Sequence, residues 1–390
     1  MNVIRRAVVT TAVAALCSMI VPAAGAQEQE PVEQVPDNVL QSNDAGAITR
    51  SLQGFFNTQI PRLSGDSNAV SKAKEALVQP VAGTSSTTFS DAYSRELARA
   101  VAPLYGNNGT RLSARLAGAV AVEQVASRTP GTRLVDVVES ILEDDAAAVS
   151  IWGIKAARPL ASFSTRVAAG EDPLISGIVN AAKKHDEEGF VAHEAMMVLQ
   201  DVGGGGFMGG AENVVVVDRW KPAVVEAVLE IIEHRLELYG PPAEGEVAPT
   251  YPSVPLADRP GTLLLANRDV WERLDQNLKV RVRTTLARLA RSAGNAAAIA
   301  QNARRDTDDE DLERELADQR DELRGVLTSA AQSLIEIAGF ESRPALATAA
   351  RNVAELPKSA SSDQIRERVT AMIAAAEVEL PDDASADAAE

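Results

Sequence analysis

The sequence predicts an all-α protein: a helical array over the first two thirds, then a C-terminal hairpin or bundle of long helices. Three observations predict it. Aromatic residues make up 4% of the 390-residue chain and alanine is abundant; small apolar side chains have high helix propensity and let helices pack closely. Apolar residues recur at three- and four-residue intervals rather than alternating. Clusters of Gly, Pro and acidic residues separate these periodic stretches, where helices must stop.

Residues 1–26 read as a signal peptide. Arg5 and Arg6 precede an apolar run from Ala7 to Val21, and Ala24-Gly25-Ala26 forms a small-residue cleavage pattern. The run falls short of the ~20 residues a spanning helix needs; the alternative is an uncleaved N-terminal anchor. Cys17, the one cysteine, lies in this segment behind Leu16, where a lipoprotein signal wants a small residue. Cleavage after Ala26 therefore leaves no thiol for a disulfide, a metal site or a nucleophile. The expected location is periplasmic or extracellular in a bacterium, with no membrane span after cleavage. Losing Arg5 and Arg6 takes the formal charge from −17 to −19. Such a charge opposes nucleic acid and anionic lipid surfaces.

Residues 27–46 are acidic and polar, with Pro31 and Pro36, and read as a flexible leader. A helical domain is expected over 47–240. Ile48, Leu52, Phe55, Phe56 and Ile60 share one helix face, and Pro61 ends that helix. Further helices are predicted over about 68–78, 90–105 and 112–125, with Asn107-Asn108-Gly109 as a stop between the last two. Residues 134–142 and a helix carrying Val149, Ile151, Trp152, Ile154, Ala157 and Leu160 follow, joined at Asp144-Asp145. The same unit returns as residues 174–182, the acidic turn Asp186-Glu187-Glu188-Gly189, and a helix with Val191, Ala195 and Leu199. Val149 and Val191 are 42 residues apart, within the roughly 40–47-residue period of stacked helical pairs. One pair cannot bury its own apolar face, whereas stacked pairs share a continuous core. In this unit and period, residues 90–202 resemble HEAT-like or armadillo-type α-solenoid repeats. The resemblance implies an extended surface that binds other proteins or peptides. The repeat is interrupted by a Gly-rich loop at 203–210.

A long helix then runs from Pro222 to about Leu238. Residues 241–261 are rich in Pro, Gly and acidic residues and read as a linker. The C-terminal helical domain is expected over 262–380. Leu263–Arg305 reads as one or two long helices, broken near Gly294, and is made basic by Lys279, Arg281, Arg283, Arg288 and Arg291. The acidic stretch 306–322 opens the next helix, so a hairpin pairing basic with acidic stretches is expected. Two shorter helices follow, and 381–390 reads as a disordered tail.

No stretch assembles a recognisable catalytic or cofactor motif. His193-Glu194 begins a zinc-protease pattern, H-E-x-x-H, but Met197 stands where the second histidine belongs. His185, His193 and Glu194 remain the candidates for a scattered metal or hydrolytic site, because all three fall near one turn. Gly204 to Gly209 fits G-x-G-x-x-G formally, but a helix precedes it where a dinucleotide fold needs a strand. Phe207 and Met208 within it are candidates for an interaction loop. The acidic run from Asp306 fails the calcium-loop pattern at Asp311 and Ala317. No G-x-S-x-G elbow is present, and Trp152, Trp220 and Trp271 fall in apolar patterns. The expectation is a non-catalytic exported scaffold without a cofactor, binding a protein or peptide partner with basic character. The alternatives are a metal-binding or hydrolytic envelope enzyme near His185, His193, Glu194 and the 203–210 loop, and a self-associating structural envelope protein.

Overall fold

The computed structural model describes residues 33–82, 86–106, 109–129, 131–161, 172–204, 214–238, 264–306 and 310–376. The expected signal segment 1–26, Phe207 and Met208, the 241–261 stretch and the 381–390 tail all lie outside the described residues. The regular structure of the described residues is helical, with no strand among them. In chain order the helices are α1 (Asp37–Leu40), α2 (Ala45–Arg62), α3 (Ser67–Ala82), α4 (Thr87–Val101), α5 (Leu112–Arg128), α6 (Val135–Leu142), α7 (Ala147–Ala161), α8 (Pro173–Lys184), α9 (Gly189–Gly204) and α10 (Val214–Leu238). They continue with α11 (Arg268–Trp271), α12 (Gln276–Asp306), α13 (Glu310–Phe340), α14 (Pro344–Ala354) and α15 (Ser362–Ala376).

Side-chain caps set several starts. The Asp44 carboxylate accepts from the backbone N–H groups of Gly46 and Ala47, opening α2. Asp172 does the same for Leu174 and Ile175, with Pro173 at the first position of α8. Each cap satisfies donors that the helix itself leaves unpaired.

Alternate helices stack. α2 packs on α4, α4 on α6, α6 on α8 and α8 on α10, while α3 packs on α5, α5 on α7 and α7 on α9. Each of α2, α4, α6 and α8 also packs on the helix that follows it. The result is two layers, A (α2, α4, α6, α8, α10) and B (α3, α5, α7, α9). Glycines permit the closest approaches: a Cβ on Gly153 in α7 would lie 3.0 Å from the Leu142 backbone nitrogen and 2.9 Å from Ile141 Cγ2. Gly177 in α8 meets Leu142 in the same way, at 2.8 Å from Cδ1.

The long helices α12 and α13 form a hairpin, and α14 and α15 close it into a four-helix bundle. α12 also packs along α10, and one contiguous apolar core runs from Val35 to Ala376. Two expectations change here. α12 is unbroken at Gly294, which sits where α15 comes close: an added Cβ would meet Val369 Cγ2 at 3.1 Å. Near the turn, Arg304 of α12 pairs with Glu313 of the acidic stretch, but other basic side chains of α12 reach elsewhere. The hairpin is antiparallel, so the start of α12 faces the end of α13, and Arg283 pairs with Glu341 at 2.5 Å. Arg281 pairs instead with Glu233 of α10.

Within the 27–46 segment, the described residues are tied down. Val35 is buried, the Gln59 side chain donates to the Glu33 carbonyl at 3.0 Å, and Arg62 forms a two-pronged ion pair with Glu33.

Candidate functional site

The densest buried polar cluster lies where the α6–α7 turn meets α8. Asp144, whose side chain is 2% exposed, accepts from Arg115 of α5 at 2.5 and 2.6 Å. Its Oδ1 also accepts from the Ala146 backbone N–H at 2.8 Å. Ser150 of α7 is fully buried, with its hydroxyl 3.0 Å from the Asp144 carbonyl and 3.4 Å from the Leu142 carbonyl. His185, at the end of α8, brings Nε2 to 3.0 Å from Ser150 Oγ and 3.1 Å from the Asp144 carbonyl. Tyr105 packs nearby and donates to the Arg115 carbonyl; burial, with the Asp144 charge adding to it, pushes its hydroxyl far above the usual phenol value.

A serine, a histidine and an aspartate in one cluster invite comparison with a hydrolase triad, and the atoms involved answer it. In such a triad the histidine accepts the serine proton at Nε2 and donates from Nδ1 to the carboxylate. Here Nε2 faces a carbonyl oxygen, which can only accept, so the proton assignment that satisfies the set puts the hydrogen on Nε2. With that assignment the serine proton goes to a main-chain carbonyl, and His185 Nε2 donates instead of accepting. The cluster is a joint: it fastens the end of α8 to the turn before α7.

The same joint recurs along this edge. Lys184 donates to the Glu143 carbonyl at 2.7 Å and to Asp145 at 2.6 Å, holding the Asp145 carboxyl below the usual carboxylate range. Arg235, buried at the end of α10, donates to the Asp186 carbonyl, and His234 lies 3.6 Å from the Asp186 carboxylate. Arg111 donates to the Ser64 carbonyl at 3.0 Å in an earlier turn. Cationic and imidazole side chains thus cap the carbonyls of the preceding turn again and again.

His185 is held in the joint, while His193 is half-buried on α9 next to Glu194, which reaches Lys155 of α7 at 3.9 Å. Among the described residues, no group of three or more His, Asp or Glu side chains is placed to hold a metal. No described helix is long and apolar enough to cross a membrane.

The two layers differ in what they expose. On α6, α8 and α10, the exposed side chains among those described are Asp136, Ser176, Asn180, Lys184, Glu226, Glu230 and Glu237, all polar. On α7 and α9 they are Ala148 and Phe190, the latter 51% exposed. Ile151, Trp152 and Met197 are half-buried on the same side. Lys155 sits 4.9 Å above the Trp152 ring, and Arg158 crosses to Asp201 at 2.7 Å. The charges on this face are thus paired from helix to helix, and the apolar groups lie between them. The helical periodicity of Trp152 and Met197 is legible in the sequence, but the side on which they emerge depends on the stacking.

No protein-family model and no curated protein matches the chain. A solved crystal structure of an engineered protein aligns with 88% of this chain and 98% of its own, at 14% identity and a TM-score of 0.23.

Proposed function

We propose that this chain is an exported, non-catalytic scaffold that binds other proteins or peptides through a helical-repeat surface, HEAT-like over about residues 90–202. The observation that carries the reading is the side-by-side stacking of alternate helices in two layers. Such stacking yields long faces made from many helices, suited to extended partners. The joints at three turns of this edge, made by Arg111, Lys184 with His185, and Arg235, support a repeat over an irregular bundle. The functional step is a fold-level analogy. Export rests on the N-terminal pattern ending at Ala26, and the expected mature N-terminus is Gln27.

The test is recovery of partners from an extract of the source cell envelope by residues 27–390, at low and moderate salt. A reproducible partner held more weakly at moderate salt supports the scaffold and its basic partner. Recovery of nothing at either salt contradicts it. N-terminal sequencing of the protein from its own cells tests export, with an intact Met1 contradicting cleavage.

A further inference from the structure

The geometry points to a specific docking surface on layer B: the outer face of α7 and α9 around Trp152 and Phe190, fitted to an amphipathic helix with basic residues along one flank. This inference rests on the scaffold reading and names its surface and partner chemistry.

Lys155 and Glu194 join α7 to α9 across the outer face. Trp152 lies one turn before Lys155, and Phe190 one turn before Glu194, so both emerge on that face at the same level. Ile151 shares this level, His193 lies about one turn beyond Phe190 and Met197 about two turns beyond it. A half-exposed phenylalanine beside tryptophan and methionine is the side-chain mix that enriches interface centres. Layer A has no equivalent among its described side chains.

Charge fixes the partner's polarity. The turns that start α7 and α9 carry Glu143, Asp145, Glu187 and Glu188, all exposed, with Asp145 at 80%. The joints of Lys184 and His185 bring these two turns together. The apolar patch therefore has an acidic rim at its N-terminal end, where Glu143, Glu187 and Glu188 are exposed and Asp145 is paired with Lys184. A helix laid across it gains apolar burial from one face and rim pairing from basic residues on one flank, the helix-in-groove mode of recognition.

The test uses residues 27–390, which contain every described residue, and three labelled peptides read by fluorescence anisotropy. The first is a Leu/Lys peptide of about five helical turns with its leucines on one face. The second has the same composition scrambled, and the third has Glu in place of Lys. The Leu/Lys peptide is expected to bind at least about tenfold more tightly than the other two. Phe190→Asp, and separately the pair Glu187→Lys and Glu188→Lys, each weaken it by about tenfold or more, and the second variant also flattens its salt dependence. Glu226→Lys with Glu237→Lys, on layer A, leaves it unchanged. All four acids and Phe190 are exposed, and circular dichroism checks that each variant is folded. Equal binding of the scrambled peptide, no binding of any peptide, or full binding by Phe190→Asp overturns the surface. Envelope partners recovered equally by Phe190→Asp would leave the scaffold standing and overturn only this placement. Peptide discrimination without any envelope partner would do the reverse.

Discussion

Asp144 is the residue on which the most interactions converge. It is buried, accepts at both carboxylate oxygens from one Arg115 nitrogen, caps the turn before α7 and offers its carbonyl to Ser150 and His185. Removing one partner of such a pair leaves the other charge without compensation. Asp144→Ala is expected to cost about 3 kcal/mol in urea unfolding, and adding Arg115→Leu should recover part of it. Ser150→Ala leaves the Asp144 carbonyl its His185 donor and should cost only about 1 kcal/mol. Glu233 carries a separate prediction. Burial works against its ionisation, but hydrogen bonds from Arg281 and Thr285 outweigh that and hold its carboxyl below 4.5. Its contribution is therefore complete above that value and is lost as pH falls through the lower folded value. Wild type should exceed Glu233→Gln in stability by a constant margin from pH 7 to about 5, and the margin should close below pH 4.5. A margin unchanged at pH 3 would contradict the assignment. Little of this was readable beforehand. His185 stood out in the sequence as a possible ligand because histidine is a common one, yet its partners, Ser150 and a main-chain carbonyl, come from helices dozens of residues away.

At the scale of elements, the helices were legible and their contacts were not. Apolar periodicity and capping residues such as Asp44 and Asp172 mark where helices begin, because both act within a few residues. Gly294 shows the limit. Within one helix glycine reads as a weak point, about 1 kcal/mol poorer than alanine, but here it accommodates α15. Gly153 and Gly294, both at close approaches, should consequently differ. Gly153→Ala drives a methyl group against the Leu142 backbone, which cannot yield as a side chain can, and is expected to cost about 1–3 kcal/mol. Gly294→Ala meets only side-chain ends, the nearest being Val369 Cγ2 at 3.1 Å, so helix propensity offsets the crowding and the net change should stay within about 1 kcal/mol. Thermal or urea midpoints of the two variants check this, and equal losses would contradict it. The hairpin of α12 and α13 was anticipated from its charge blocks; the partners of those charges were not, because antiparallel geometry sets Arg283 opposite Glu341 rather than beside 306–322.

Over the whole molecule, one apolar core joins the layered helices to the C-terminal bundle, and α10 and α12 are locked by Glu233 and Arg281 at 2.6 Å. The described helices should therefore unfold together: calorimetry is expected to give a single transition, and two separate transitions would show that the bundle and the layers are independent. Alternate helices stack in two layers, an arrangement compatible with the repeat suggested by two copies 42 residues apart; α6, α8 and α10 expose polar side chains, and the other layer carries Phe190 and Trp152. On the proposed function, partners bind this second layer. The direct measurement places a photo-cross-linking residue at position 190, and for comparison at the exposed Asn180 of α8, in cells of the source organism. A discrete adduct of defined mass is expected from position 190 and none from position 180. No adduct at 190, or the same adducts from both positions, would contradict it.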